Sequence, residues 1–428
     1  MTTKVIIQVH PSVADPSRYP DRRPIGRDNE LFQQMLASLE RLALALDDMG
    51  YWGLSHTEHH FHSEGLELSP DPGLYNLYLG RKTRRLRHGQ LGYVLPTRDP
   101  IRLAETCSML DHMLQGRFFV GLARGYQRRW VDVLGQRMNG AASSRTDQDA
   151  DDRNRQLFSE HFRLLKAAWT DDLLQYKGEF YEVPYPYQAG IPHWPPADFT
   201  RRYGMPGEVD DDGTVVGVSV VPRPFQRPHP PVFQANSTSA KTVAWAARNG
   251  VIPTMLVTPD DTVVRLARAY REAAAEAGFE YAPGQNTGIV RTVHICRDRA
   301  ELTAMTDRFN KAIWADWYRS FGFLEGMRRP DETGPIPAPG ESVGQRLLDS
   351  GLIVGGTLDE VKHRIEAIVE AGIEYFVWHL PWGLVDDDAL LDQLELFAAE
   401  VMPAFDLAVN SDVDRGSAVR HDDVVLSR

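Results

Sequence analysis

Cysteine is nearly missing from this chain of 428 residues, which has two, Cys107 and Cys296, far apart. Two isolated thiols exclude a disulfide framework and a thiolate metal cage. No stretch reaches the roughly 18 consecutive apolar residues of a membrane helix. The opening residues, Met1 to Val9, have no basic segment followed by an apolar core, so no secretory leader is expected. A reducing, cytoplasmic location and no membrane association follow as expectations. Positive charge is in deficit as well, with 47 Lys and Arg against 59 Asp and Glu and a formal charge of −12. A nucleic-acid surface needs clustered cations. The short run Arg81-Lys82-Thr83-Arg84-Arg85 reads instead as a solvated helix end. No G-x-G-x-x-G follows a strand-like run, which excludes a Rossmann dinucleotide site. A composition 42% hydrophobic and 25% charged leaves an ordinary globular chain.

What is present is alternation. Val5 to Val9 is apolar and β-branched. Behind it Leu31, Phe32, Met35, Leu36, Leu39, Leu42, Ala43 and Leu46 form a helical stripe that stops at Gly50. Strand-like runs recur at 51–55, 89–95, 118–122, 232–235, 251–256, 289–296, 353–355 and 375–380, with helical patterns after them. Strict alternation implies an α/β fold with a parallel sheet. Eight units closing into a (β/α)8 TIM barrel suit this length, and an open doubly wound sheet is the alternative. One barrel domain is expected over 1–408. Two segments interrupt it. A Pro-rich insertion at about 184–221, in a proline-dense stretch reaching 231, excludes a regular helix and carries a turn at Asp212-Gly213. A Gly- and Pro-rich segment at 321–345 reads as a lid-like loop. Residues 409–428 are polar and expected to be a disordered tail.

In a barrel, chemistry gathers where strands open into loops. Thr57-Glu58-His59-His60-Phe61 lies at such a place. With His56 and His62 it offers imidazoles for proton transfer near neutrality, for plain hydrogen bonding, or for a metal, although partner ligands from later strands are not evident. Asn236-Ser237-Thr238-Ser239-Ala240-Lys241-Thr242, between strand and helix, suits an anion at a helix N-terminus. Ordinary capping accounts for the same residues.

The Thr57–Phe61 phrase, Leu95-Pro96-Thr97-Arg98-Asp99-Pro100, Leu110-Asp111-His112 and the run from Gly116 to Tyr126 occur together and in order. The chain resembles the flavin-dependent luciferase-like monooxygenases, the superfamily of bacterial luciferase, from Lys4 to about Phe405. The resemblance implies reduced FMN as cofactor and O2 as co-substrate. The cofactor's phosphate would meet Ser239 and Thr242, Arg124 and Tyr126 in Ala123-Arg124-Gly125-Tyr126, and Arg145, which taken alone reads rather as a surface ion pair. Leu91-Gly92 matches a strand bulge that in the family carries a non-prolyl cis peptide beneath the flavin ring. His59 and His60 become the catalytic candidates, and no metal is implied. Ala123 stands where bacterial luciferase has a reactive cysteine, so the light-emitting reaction is not expected. The implied activity inserts one atom of O2 into a small organic substrate through a C4a-peroxyflavin, with reduced flavin from a separate NAD(P)H:flavin reductase and a homodimer or other homo-oligomer as assembly. A deazaflavin-dependent oxidoreductase of the same superfamily and a non-catalytic flavin-binding protein are the alternatives.

Overall fold

The computed structural model describes residues 2–410 except 139, 145, 237, 238, 257, 258 and 330. Its strands are β1 (Lys4–Val9), β2 (Gly53–His56), β3 (Arg87–Val94), β4 (Phe118–Ala123), β5 (Tyr176–Lys177), β6 (Glu182–Val183), β7 (Val232–Asn236), β8 (Ile252–Met255), β9 (Gly288–Ile295), β10 (Ile353–Gly356) and β11 (Tyr375–Leu380). The order β11-β1-β2-β3-β4-β7-β8 is closed by β9, which pairs with both β8 and β11. Eight strands with helices between them form the expected (β/α)8 barrel. Both faces of such strands are covered, so their sequences are continuous apolar runs rather than alternating ones. All residues of β9 and β11 are buried.

Nine strand-like runs in the sequence therefore resolve into eight staves and one annex. The first half of β9, Gly288 to Arg291, pairs with β11, while Thr292 to Ile295 pairs with β10. Local pattern cannot separate the two cases, because an annex strand is as apolar and as short as a stave.

By compactness the chain forms two units, one comprising residues up to 92 and from 231 onward, the other Tyr93–Pro230. In the first unit the helix Asn29–Met49 starts on the Asp28 side chain, which accepts from the Leu31 N–H, and ends at Gly50 in the left-handed conformation. Its buried stripe comprises Leu31, Met35, Leu39, Leu42, Ala43 and Leu46. Asp47, also buried, accepts the backbone N–H groups of Arg84, Arg85 and Leu86 at 2.9, 2.8 and 2.6 Å. That carboxylate satisfies three donors at the entry to β3.

In the second unit, buried Glu160 of the helix Gln148–Thr170 accepts the N–H groups of Glu179, Phe180 and Tyr181 at 2.9, 2.9 and 3.0 Å. It thereby fixes the loop between β5 and β6. The proline-dense stretch contains a short helix after all, Ala197–Tyr203. Pro195 and Pro196 precede its first turn, where no N–H donor is required, so the helix fits before Gly204. Asp210 to Thr214 forms the expected turn, with Gly213 at φ +82°. Among the described residues no helix is long and apolar enough to cross a membrane.

Candidate active site

Histidines collect at the strand ends of the first unit. His10 follows β1, His56 closes β2, His59 and His60 follow it, and His379 lies near the end of β11. The adjacent pair serve different carboxylates. His60 Nε2 is 2.9 Å from Glu58 Oε1, and His59 Nδ1 is 2.9 Å from Glu67 Oε2.

Glu67 is fully buried and holds a left-handed backbone at φ +51°. That conformation is uncommon outside glycine and costs about 1–3 kcal/mol, which the surroundings must offset. Those surroundings are donors. Trp317 Nε1 donates to Oε2 at 2.9 Å, and the Tyr318 hydroxyl donates to Oε1 at 2.8 Å. Trp317 ends the π-helical turn Lys311–Trp317, a form found mostly as short insertions at functional sites, and Tyr318 begins the 3-10 turn that follows it. Leu66 packs beneath it in an apolar cluster with Ile313, Trp314, Tyr318, Met327 and Ile336.

A second chain of bonds reaches the same point. The Gln8 Nε2 amide lies 3.1 Å from His10 Nε2 and can only donate, which leaves the proton of a neutral His10 on Nδ1. That Nδ1–H is 2.7 Å from the Tyr318 oxygen and 3.1 Å from Glu67 Oε1. Burial alone would raise the Glu67 carboxyl, yet the His59 and His10 imidazoles outweigh it and hold the group well below the usual carboxylate range. Burial lowers His10, with Glu67 opposing. It pushes His379, whose ring centroid is 4.7 Å from that of His10, down to about 3. His56 is held at about 3 by burial, and neither of its ring nitrogens has a hydrogen-bond partner among the described residues. Burial thus holds the His10, His56 and His379 imidazoles toward their neutral forms, beside one anionic carboxylate.

His59, His62 and Glu67 also place three ligand-type atoms within 4.8 Å of one another. His62 Nδ1 is 2.9 Å from the Leu66 carbonyl and bears a hydrogen, which leaves Nε2 as its lone-pair nitrogen.

The anion-binding candidates are placed as follows. Ser239 caps the helix Ala240–Arg248, its Oγ accepting from the Thr242 N–H at 3.3 Å and from the Thr242 hydroxyl at 3.1 Å. Arg124 stands just after β4 in the second unit. It donates to Asp151 Oδ1 at 3.0 Å, while Arg155 takes Oδ2 at 3.0 Å, so two guanidiniums share one carboxylate. Burial and the Arg155 charge lower Arg124, but a guanidinium remains cationic. Gly125 turns the chain out of β4 at φ +75°, where a Cβ would fall 2.6 Å from Val94 Cγ1. The Tyr126 oxygen accepts from Gln127 Nε2 at 3.0 Å. Arg145 lies outside the described residues. Leu91 and Gly92 are in β3, and the peptide between them is cis, the one non-prolyl cis bond among the described residues. A forked cation and a capped helix N-terminus are each, by chemistry, a donor type that suits a phosphate monoester such as that of FMN.

Sequence reasoning missed Glu67, His10, Trp317 and Tyr318. His10 had a signal, since it directly follows an apolar strand. Glu67 had a weak one, as the acidic interruption of Gly65-Leu66-Glu67-Leu68. Trp317 is 250 residues from its acceptor and had none.

A parallel eight-stranded barrel with proton-handling side chains at its strand ends defines a barrel enzyme. The family model for luciferase-like monooxygenases matches residues 17–375, and the chain belongs to that family of flavin-dependent monooxygenases. The chain is 23% identical over 409 residues to 3,6-diketocamphane 1,6-monooxygenase of Pseudomonas putida, covering 90% of this chain and 96% of that one. Among solved structures it resembles the oxygenating constituent of 3,6-diketocamphane monooxygenase from Pseudomonas putida, a type II Baeyer-Villiger monooxygenase in complex with FMN. There the TM-score is 0.68 at 19% identity, over 96% of this chain and 100% of the other. An F420-dependent secondary alcohol dehydrogenase shares the fold at TM-score 0.59 and 14% identity, over 95% and 99% of the two chains.

Proposed function

We propose that this protein is the oxygenase component of a two-component FMN-dependent monooxygenase. It would receive reduced FMN from a separate NAD(P)H:flavin reductase and insert one atom of O2 into a small organic substrate. The observation that carries this reading is the strand-end network that places His59 against a buried carboxylate, in a chain of this family. The relative described as an oxygenating constituent, in complex with FMN, supports both the cofactor and the separate reductase.

Reduced FMN would supply the oxygen activation, by the proposed C4a-peroxyflavin route. The chain supplies the rest. Arg124 with Tyr126, and Ser239 with Thr242, are assigned to holding the phosphate, one through a charged fork and the other through a helix N-terminus. Leu91 and Gly92 are assigned to backing the flavin ring. His59 exchanges a proton with the reacting oxygen or substrate, and His60, tied to Glu58, lies beside it in sequence as the second candidate. The segment 321–345 would act as a lid that excludes water. Buried Arg346, which pairs with Glu332 and Glu341, anchors that segment's base.

The test is anaerobic titration with photoreduced FMN, then rapid mixing with O2 while absorbance is followed. Saturable binding followed by a transient oxygenated flavin is the expected result. Failure of reduced FMN to bind would overturn the reading. The F420-dependent neighbour gives the second reading, hydride transfer from a reduced deazaflavin. Anaerobic oxidation of reduced F420 by a carbonyl substrate would favour it.

A further inference from the structure

We infer that His379 is a ligand-contacting residue of this site, whose imidazole hydrogen-bonds an uncharged oxygen group of the organic substrate. The inference rests on the monooxygenase reading and deepens it by naming a residue and the kind of group it meets.

Strand geometry sets the direction of the side chain. The rings of Tyr375 in β11 and Phe233 in β7 have centroids 4.9 Å apart, although β8 and β9 lie between the two strands. Rings so placed can meet only across the concave inner face of the sheet. Side chains alternate along a strand, so Tyr375, Val377 and His379 share that face. His379 is in register with Gln8 of β1, and Gln8 with Ser55 of β2. The inner face at the strand ends therefore carries His379, Gln8 and Ser55. His56, next to Ser55, turns to the opposite face, where its ring centroid is 5.4 Å from that of Tyr75 in the helix Pro72–Gly80.

The imidazoles differ in what their nitrogens do. His10 commits both, Nε2 to Gln8 and Nδ1 to Tyr318. His59 Nδ1 lies 2.9 Å from the Glu67 carboxylate. His379 is only 5% exposed, and its ring nitrogens make no hydrogen bond among the described residues. Its ring packs on those of His10 and Trp314, at centroid distances of 4.7 and 6.2 Å. Its carbonyl accepts from Thr292 Oγ1 at 3.1 Å, which fixes the backbone below the ring. A polar group this buried is costly to leave without a partner, and native structures seldom do so without a use for it. At the C-terminal end of a barrel strand, that use is contact with the ligand.

The state of the ring decides which group it suits. Burial, reinforced by His10, holds His379 down to about 3, so the imidazole is neutral near pH 7. A neutral imidazole offers one N–H donor and one lone pair. It matches a carbonyl oxygen or a hydroxyl, and it lacks the positive charge that a buried carboxylate or sulfonate demands.

The experiment is 15N–1H NMR of the full-length protein labelled at histidine, alone and with FMN, with the His379 ring assigned from a His379→Asn variant. The probes are cyclohexanone, cyclohexanol and cyclohexanecarboxylate, which share one ring and differ in the oxygen group. A neutral probe is expected to shift the His379 nitrogens saturably while those of His56, on the other face, stay in place. The carboxylate at the same concentration should move neither. His379→Leu should raise the Kd of the neutral probe, read by ligand-observed NMR, roughly 2- to 12-fold, the worth of one hydrogen bond. His379→Asn keeps an N–H donor and should lose less. The shifts in the unsubstituted protein keep the test valid if either variant folds poorly. No shift of His379 with either neutral probe in either sample would overturn the inference. So would an equal shift with the carboxylate, or an unchanged Kd in folded His379→Leu protein. Failure of the unsubstituted protein to bind reduced FMN or to activate oxygen, measured separately, would instead count against the monooxygenase reading.

Discussion

Removing the Arg124 guanidinium tests the flavin assignment most directly. Arg124 is about one-fifth exposed at the end of β4 and already shares Asp151 with Arg155. Two cations on one anion leave a net charge of about +1, so a phosphate meets a partly offset charge. A hydrogen bond to a charged group contributes about 1.5–3 kcal/mol. The offset places Arg124→Ala in the lower half of that range, about 1.5–2 kcal/mol, or roughly a 10- to 30-fold rise in the Kd of reduced FMN. Riboflavin supplies the control, because it has the same ring and no phosphate. Anaerobic fluorescence titrations of both proteins with reduced FMN and with reduced riboflavin give four constants. The expected result is a large loss for FMN and almost none for riboflavin. Equal losses for the two ligands would show that the substitution disturbs the fold or the ring site, and would refute the phosphate assignment. No loss for either would refute it as well.

Further outcomes follow from other contacts. Ser239→Ala removes the cap of the helix Ala240–Arg248 and should cost about 1 kcal/mol, lowering the melting temperature; an unchanged melt would show that the cap is not stabilising. Asp47→Asn should cost about 1.5–3 kcal/mol, because one charged acceptor serves three N–H groups. Amide exchange at Arg84, Arg85 and Leu86 should quicken selectively, and uniform quickening would point elsewhere. His56 and His379 are held at about 3 and His294 at about 4, all by burial. Their folded values lie below the unfolded one, so the unfolded chain binds more protons and stability falls as pH drops below about 6.5. Three such groups give a slope of up to about 4 kcal/mol per pH unit between pH 6 and 5. A melting temperature flat from pH 7 to 5 would contradict the burial of these rings.

Much of this protein is determined by its sequence alone, because the physics involved is local. Largely apolar runs such as Val5–Val9 and Tyr375–Leu380 read as strands covered on both faces, and helical stripes between them imply parallel crossovers. His59 was legible because it follows an apolar run at the end of a strand. The tertiary structure decided what depends on distant neighbours. It turned nine apolar runs into eight staves and the annex β10, since pairing partners leave no trace in period or composition. It sent His59 and His60 to different carboxylates, although they are adjacent in the chain. It also brought Trp317 and Tyr318 onto Glu67 across 250 and 251 residues, from adjoining π-helical and 3-10 turns that the sequence does not mark. Periodicity records which face of an element is buried. Which charge meets which donor there is fixed only when the chain closes.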